Sequence, residues 1–131
     1  MAISFDKALG IHQHTLGVRA ERAEVLSSNI ANADTPNYKA QDLDFEQALA
    51  GAKSRQSFAL ARSHEKHFDA SIEPQPGLKF RVPLHPDTGD GNTVDLQTER
   101  NLFMQNTLEH QMSLGFLDGK FSGLKKAIRG D

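Results

Sequence analysis

The chain has 131 residues, no cysteine and a net charge of −2 at pH 7, the size of one domain on the usual prior of about 100–200 residues. Zero Cys excludes disulfides, thiolate nucleophiles and Cys-based zinc or iron–sulfur sites, and a near-neutral balance argues against a nucleic-acid binder, whose affinity rests on basic surface. Leu, Ile, Val and Phe together number 31, material for a thin core, and no apolar run nears the roughly 20 residues of a membrane helix.

The N-terminus, Met1-Ala2-Ile3-Ser4-Phe5-Asp6-Lys7, lacks a basic stretch followed by an apolar one, so no Sec-type signal is expected. That leaves a cytoplasmic protein or one exported without a cleaved signal. Residues 5–33 hold no Pro and read as a helix, capped by Ser4 or Asp6. Phe5, Leu9, Leu16, Ala23, Leu26 and Ile30 recur at three- and four-residue steps, with His12 and Arg19 in the remaining seam positions. A second stripe, Ile11, Val18 and Val25, lies roughly 200° around the helix from the first.

Residues 34–93 contain all five Pro and read as a polar, largely irregular insert. Pro36 disfavours helix before it, and Asn32 and Asp34 favour a turn. A short helix is expected from Phe45 to about Ala52, with Asp44 and Gln47 at capping-box spacing. Phe58/Leu60 and Phe80/Val82 alternate as short strands would. Asp87-Thr88-Gly89-Asp90-Gly91-Asn92 is a turn cluster. Residues 94–129 are helical again, with Asp95 as cap. One stripe runs Leu96, Phe103, Leu114, Leu117, Phe121, Leu124 and Ile128, interrupted by Arg100, Thr107 and His110. Leu108 and Met112 hold a second face that continues to Gly115 and Gly119. Gly115, Gly119 and Gly123 sit four apart, which means either a weak helix or close approach by a neighbouring one.

The expected fold is mainly α, a single domain over residues 1–131. Two long terminal helices pack as an antiparallel, coiled-coil-like hairpin around an insert with one short helix and candidate strands. The two longest stripes form the seam within one subunit, through Leu9, Leu16, Ala23, Leu26 and Ile30 on one helix and Phe103, Leu114, Leu117, Phe121 and Leu124 on the other. Ile11, Val18, Val25, Leu108 and Met112 then face other subunits, because a two-helix hairpin buries one stripe per helix and leftover apolar faces mark interaction sites.

Catalysis finds no support. There is no Gly-x-Ser-x-Gly elbow, and the loop from Asp90 fails the EF-hand pattern at Val94 and Asn101. Gly89 and Gly91 lack the Lys and Ser/Thr of a phosphate loop. Six His are present, but His12 and His14 point apart on a helix, and His64 and His67 have no third ligand at useful spacing. No catalytic residue, metal ligand or cofactor is expected.

The densest motif is Ser28-Asn29-Ile30-Ala31-Asn32-Ala33-Asp34-Thr35-Pro36-Asn37-Tyr38. A helix delivers Asn29 and Asn32 near its C-terminal end, where free carbonyls need donors, and Pro36 and Tyr38 fix the exit. This stretch resembles the N-terminal signature of the axial proteins of the bacterial flagellum, the rod and hook family. Four further stretches carry the likeness toward the short proximal-rod type: residues 5–9, 39–45, 90–96 and 117–125. The middle, about 50–88, is similar only loosely. A second short rod type, FlgC, shares the signature, but its C-terminal helix typically carries Tyr-Gln-Ala-Asn or Tyr-Glu-Ala-Asn, absent here.

The resemblance implies a structural subunit of the basal-body rod, located in the periplasm and exported through the flagellar type III apparatus. It implies helical assembly around the export channel, with other rod subunits, the adaptor FliE near the MS ring and the export apparatus as partners. Neither nucleic acid nor membrane insertion is implied. The rival readings are a small cytosolic helical-hairpin binding module and a metal-dependent enzyme built on the His residues.

Overall fold

The structure is a computed structural model, which describes residues 5–57 and 76–130. Helix α1 spans Phe5–Leu9 and α2 spans His12–Ala31. Strand β1 (Gln41–Leu43) leads into α3 (Phe45–Ser57). Strand β2 (Leu78–Phe80) precedes α4 (Leu96–Arg129). The expected strand at Phe58/Leu60 and the His64/His67 pair lie outside the described residues.

The N-terminal helix is broken where one continuous helix was expected. Gly10 adopts φ +59°, a left-handed conformation that glycine enters without steric cost, and α2 restarts behind Ile11 with no side-chain cap. Helix α4 begins as expected. The Asp95 carboxylate accepts from the backbone N–H of Gln97 and Thr98 and from the Thr98 hydroxyl. It ends at Gly130, φ +76°, whose N–H closes on the Lys126 carbonyl, a left-handed C-terminal cap. Helix α3 runs past Ala52 to Ser57, and the Asp44 carboxylate accepts from the Gln47 N–H at 3.3 Å. The other half of the capping box is absent, because the Asp44 N–H donates to the Gly77 carbonyl instead.

Helices α2 and α4 run antiparallel. Asn29 meets Glu99, Arg19 meets Asn106 and Glu109, and the His12 ring stacks on Phe116 with centroids 5.8 Å apart. Helix α1 continues the contact with α4. The insert folds back over α2. Strands β1 and β2 pair antiparallel, Gln41 opposite Phe80 and Leu43 opposite Leu78, so the second expected strand exists, shifted by two residues.

The core is small: Val18, Leu43 and Ala48 are buried, with Phe45, Leu49 and Ala52 packed against them. Val18 was expected to face other subunits. It is 2% exposed, because β1 and α3 cover that part of the second stripe. Val25, of the same stripe, is half-buried, and Ile11 is 41% exposed.

The seam on α4 also differs from expectation. Its buried positions are Glu99, Asn106 and Ser113, seven residues apart and polar. With Leu96, Phe103, His110 and Leu117 they complete an alternating three- and four-residue pattern. Leu114 and Phe121, expected in the seam, sit one step off it and are 46% and 45% exposed. Phe103, Leu117 and Leu124 are half-buried, as are Leu9, Leu16, Ala23 and Ile30, while Leu26 is fully enclosed.

Candidate functional site

The densest polar construction in the molecule surrounds the C-terminal end of α2. Four carbonyls at any helix end lack intrahelical partners, and here side-chain amides supply donors. The Asn32 amide donates to the Ser28 carbonyl at 2.8 Å. Asn92, which arrives from the loop before α4, places its amide nitrogen within 3.0 Å of the carbonyls of Asn32, Ala33 and Thr35. One side chain thus ties the turn after α2 to the root of α4. The Thr35 hydroxyl donates to the Asn32 side-chain oxygen, and Asn37 turns the chain at φ +61°. Its N–H donates to the Asp90 carbonyl, and the Thr93 N–H donates to that of Tyr38. Pro36, Asp34 and Thr35 are exposed, and the Tyr38 hydroxyl lies 3.3 Å from that of Ser28 and 3.4 Å from the Asn29 oxygen.

Asn29 is the hub and is fully buried. Its amide donates to the Gln41 carbonyl and to the Glu99 carboxylate at 3.0 Å, and its oxygen accepts from the Gln41 N–H at 3.1 Å. It therefore acts as an extra strand residue for β1 while reaching α4. Glu99, also 0% exposed, is ion-paired with Arg81. Arg81 continues to Asp42 at 3.1 Å, and Asp42 binds Arg22 through both oxygens. The chain Asn29–Glu99–Arg81–Asp42–Arg22 joins α2, β1, the end of β2 and α4.

A buried charge is tolerable only when paired, and the charges alternate along this chain. Burial pushes the Asp42 carboxyl upward, but hydrogen bonds from Arg22 and the Leu43 N–H, with the charges of Arg22 and Arg81, outweigh it and hold the group below its usual 3.8. Arg22 is raised in turn, chiefly by its hydrogen bond to Asp42. Farther along, Arg19 pairs with Glu109 and lies over the Phe45 ring at 4.2 Å. Arg19 Nε and Asn106 Oδ1 are buried without a hydrogen-bond partner among the described residues.

Of the eleven-residue signature, Ser28, Asn29, Asn32, Thr35 and Tyr38 converge on this junction. Ile30 is half-buried and Ala31 exposed, while Ala33 contributes its carbonyl. Sequence reasoning missed Asn92, Glu99, Asn106, Arg81 and Asp42. The legible signal was the seven-residue spacing of Asn92, Glu99, Asn106 and Ser113, which a search for apolar repeats passes over. The outward side of α4, opposite those positions, carries Met104, Leu108 and Met112 at 70%, 60% and 55% exposure. Among the described residues no group of three potential metal ligands occurs, and no helix is long and apolar enough to cross a membrane.

A helical hairpin locked by a polar junction, with apolar side chains left outside, is the architecture of a structural subunit. The family model described as flagella basal body rod protein matches residues 9–39, the span of α2 and the signature turn. Three curated relatives, each a flagellar basal body rod protein FlgB, align along the whole length. The one from Aeromonas hydrophila is 61% identical over 100% of this chain and 99% of its own. Those from Escherichia coli K12 and Cereibacter sphaeroides are 40% and 41% identical, over 98% and 97% of this chain and 98% of theirs. The chain belongs to the FlgB family of flagellar basal body rod proteins, and it is a structural protein rather than an enzyme.

Proposed function

We propose that the chain, as one rod-type domain over residues 1–131, is a subunit of the proximal rod that assembles helically around the export channel. Its partners in this reading are other rod subunits, the adaptor FliE near the MS ring and the export apparatus that delivers it. The observation that carries the reading is the unpartnered α4 face. Met104, Leu108 and Met112 stand directly opposite the intramolecular seam and are more than half exposed. An isolated subunit gains nothing from three large apolar side chains in water, whereas a neighbouring subunit would gain about 25 cal/mol for each Å² covered. Ile11 is a further member of this outward set. The signature residues Ser28 to Pro36 and Tyr38 act indirectly, by fixing the angle at which the insert leaves α2.

The test is complementation of a strain lacking the gene. Leu108→Glu/Met112→Glu should fold with unchanged circular dichroism, because both side chains already face solvent, yet fail to restore motility or a complete rod in isolated basal bodies. Swimming cells with normal basal bodies would refute the assignment of that face.

A further inference from the structure

The ion-paired groups between α2, the insert and α4 divide unequally between the two parts they join. Helix α2 and the insert contribute Arg19, Arg22 and Arg81 against one acid, Asp42. Helix α4 contributes Glu99 and Glu109, and no cation pairs from it among the described residues. The first part therefore holds a surplus of two positive charges, and α4 brings the two negative charges that cancel it. The cations are set in place by groups other than α4. Arg22 is held by both oxygens of Asp42. Arg81 is held by Asp42 at 3.1 Å and by its own backbone N–H, which donates to the Ala40 carbonyl. Arg19 lies over the Phe45 ring of α3. Asn29 is oriented the same way, by two bonds to the Gln41 backbone. All of these residues precede α4 in the chain.

Glu99 depends on what it meets. It is fully buried, and it is bound by Asn29 of α2 and Arg81 of the insert. With the insert out of place, closing the hairpin would enclose a carboxylate against one neutral amide, and a buried charge without its counter-ion is strongly unfavourable. The seam has little to set against that cost, because no apolar side chain of α4 is among the buried residues. We propose that the insert is a gate on the hairpin: α2, β1 and β2 form a cationic socket first, and α4 closes on α2 only after β2 has brought Arg81 into it. Helical character at the two ends is then not sufficient for them to pair. A chain with a misplaced insert keeps α4 undocked, so paired ends certify a complete middle. The inference concerns closure of the subunit itself, whichever neighbours it meets.

The chain has no native cysteine, so spin labels on introduced thiols can follow the two contacts separately in the full-length protein. Ala20→Cys/Gln105→Cys places labels on exposed sites of α2 and α4, and Ser27→Cys/Lys53→Cys places them on exposed sites of α2 and α3. Arg81→Met removes the charge and keeps an unbranched stem. It should lower the closed-to-open ratio of the α2–α4 pair by about a hundredfold and leave the α2–α3 distance unchanged. Adding Glu99→Gln, which removes the carboxylate charge and leaves an oxygen for the Asn29 amide, should return most of the closed population. In cells, Arg81→Met should abolish swimming and Arg81→Met/Glu99→Gln should restore it. The proposal is overturned by a closed fraction in Arg81→Met equal to that of the chain with Arg81, or by failure of Glu99→Gln to restore closure. Loss of both distances together overturns it as well, since the chain would then open as one unit with no gate.

Discussion

At the end of the hairpin where Asn29 meets Glu99, buried polar groups accompany the enclosed Leu26, Ala40 and Leu43, and the polar ones are partnered by side chains from four elements. At the other end, where α1 and the last turns of α4 meet, apolar side chains stand largely uncovered among exposed lysines, with Phe116 at 58%, Phe121 at 45% and Ile128 at 83% exposure. The first end holds itself together, and the second is finished only by what it meets. A subunit built this way can have a fixed shape at one end before assembly and an adaptable one at the other. Stability changes should therefore cluster at the junction, and assembly changes at the far end.

The largest effect should come from Glu99→Ala. Removing one partner of a buried ion pair leaves Arg81 and the Asn29 amide short of an acceptor, at a cost of about 3 kcal/mol. Urea unfolding of the isolated chain measures it, and a loss below about 1 kcal/mol would mean that the junction behaves like a surface ion pair. Asn92→Ala comes next. It strips donors from the Asn32, Ala33 and Thr35 carbonyls and should cost about 1–2 kcal/mol; an unchanged urea midpoint would show that water replaces the amide without penalty.

The third prediction is a pH dependence. Asp42 has its folded-state pKa depressed below 3.8, so its contribution to stability is present above the unfolded value, near pH 4, and is lost as pH falls through the lower folded value. Wild type should lose stability below pH 4 more steeply than Asp42→Asn, which starts less stable and lacks that titration. Equal slopes in acid titrations of the two proteins would remove Asp42 from the junction's energetics.

The smallest effect belongs to the far end. A Cβ at Gly119 would meet nothing within 4 Å, so Gly119→Ala should stabilise the isolated chain, by about 0.5–1 kcal/mol, through helix propensity alone. If the same substitution impairs motility, a neighbour's backbone occupies that space in the assembled state. If thermal melts show destabilisation instead, α4 is not a simple exposed helix there.

Helix content, the antiparallel pairing of the ends, the caps at Asp95 and Asp44 and the signature turn were legible in the sequence. They rest on local chemistry, namely periodicity, capping residues and Pro36. The exact seam was not. Each apolar column on α4 can be completed by the positions three residues on or by those four residues on. Hydrophobicity chooses Leu114 and Phe121, while the fold uses Glu99, Asn106 and Ser113. That choice is tertiary, because Glu99 is acceptable in a seam only once Asn29 and Arg81 arrive from distant segments. Val18 was misassigned for a similar reason, since nothing in α2 announces that α3 will cover it. The break at Gly10 was visible as a glycine, but a mid-helix glycine does not declare its φ. The residues of the signature were found, whereas their fastener, Asn92, stands about sixty positions away.

The polar column on α4 also has a mechanical consequence. Apolar seams resist separation but glide, because one leucine serves nearly as well as the next. Sliding α4 past α2 by one heptad, about 10.5 Å, would set Asn106 where Glu99 now answers Asn29, and would carry Glu99 beyond the reach of Arg81. The next matching position does not exist, since Glu99, Asn106 and Ser113 differ from one another in length or charge. Axial load on the hairpin therefore meets a detent at a single register, and the pair transmits push and pull along its length without creeping.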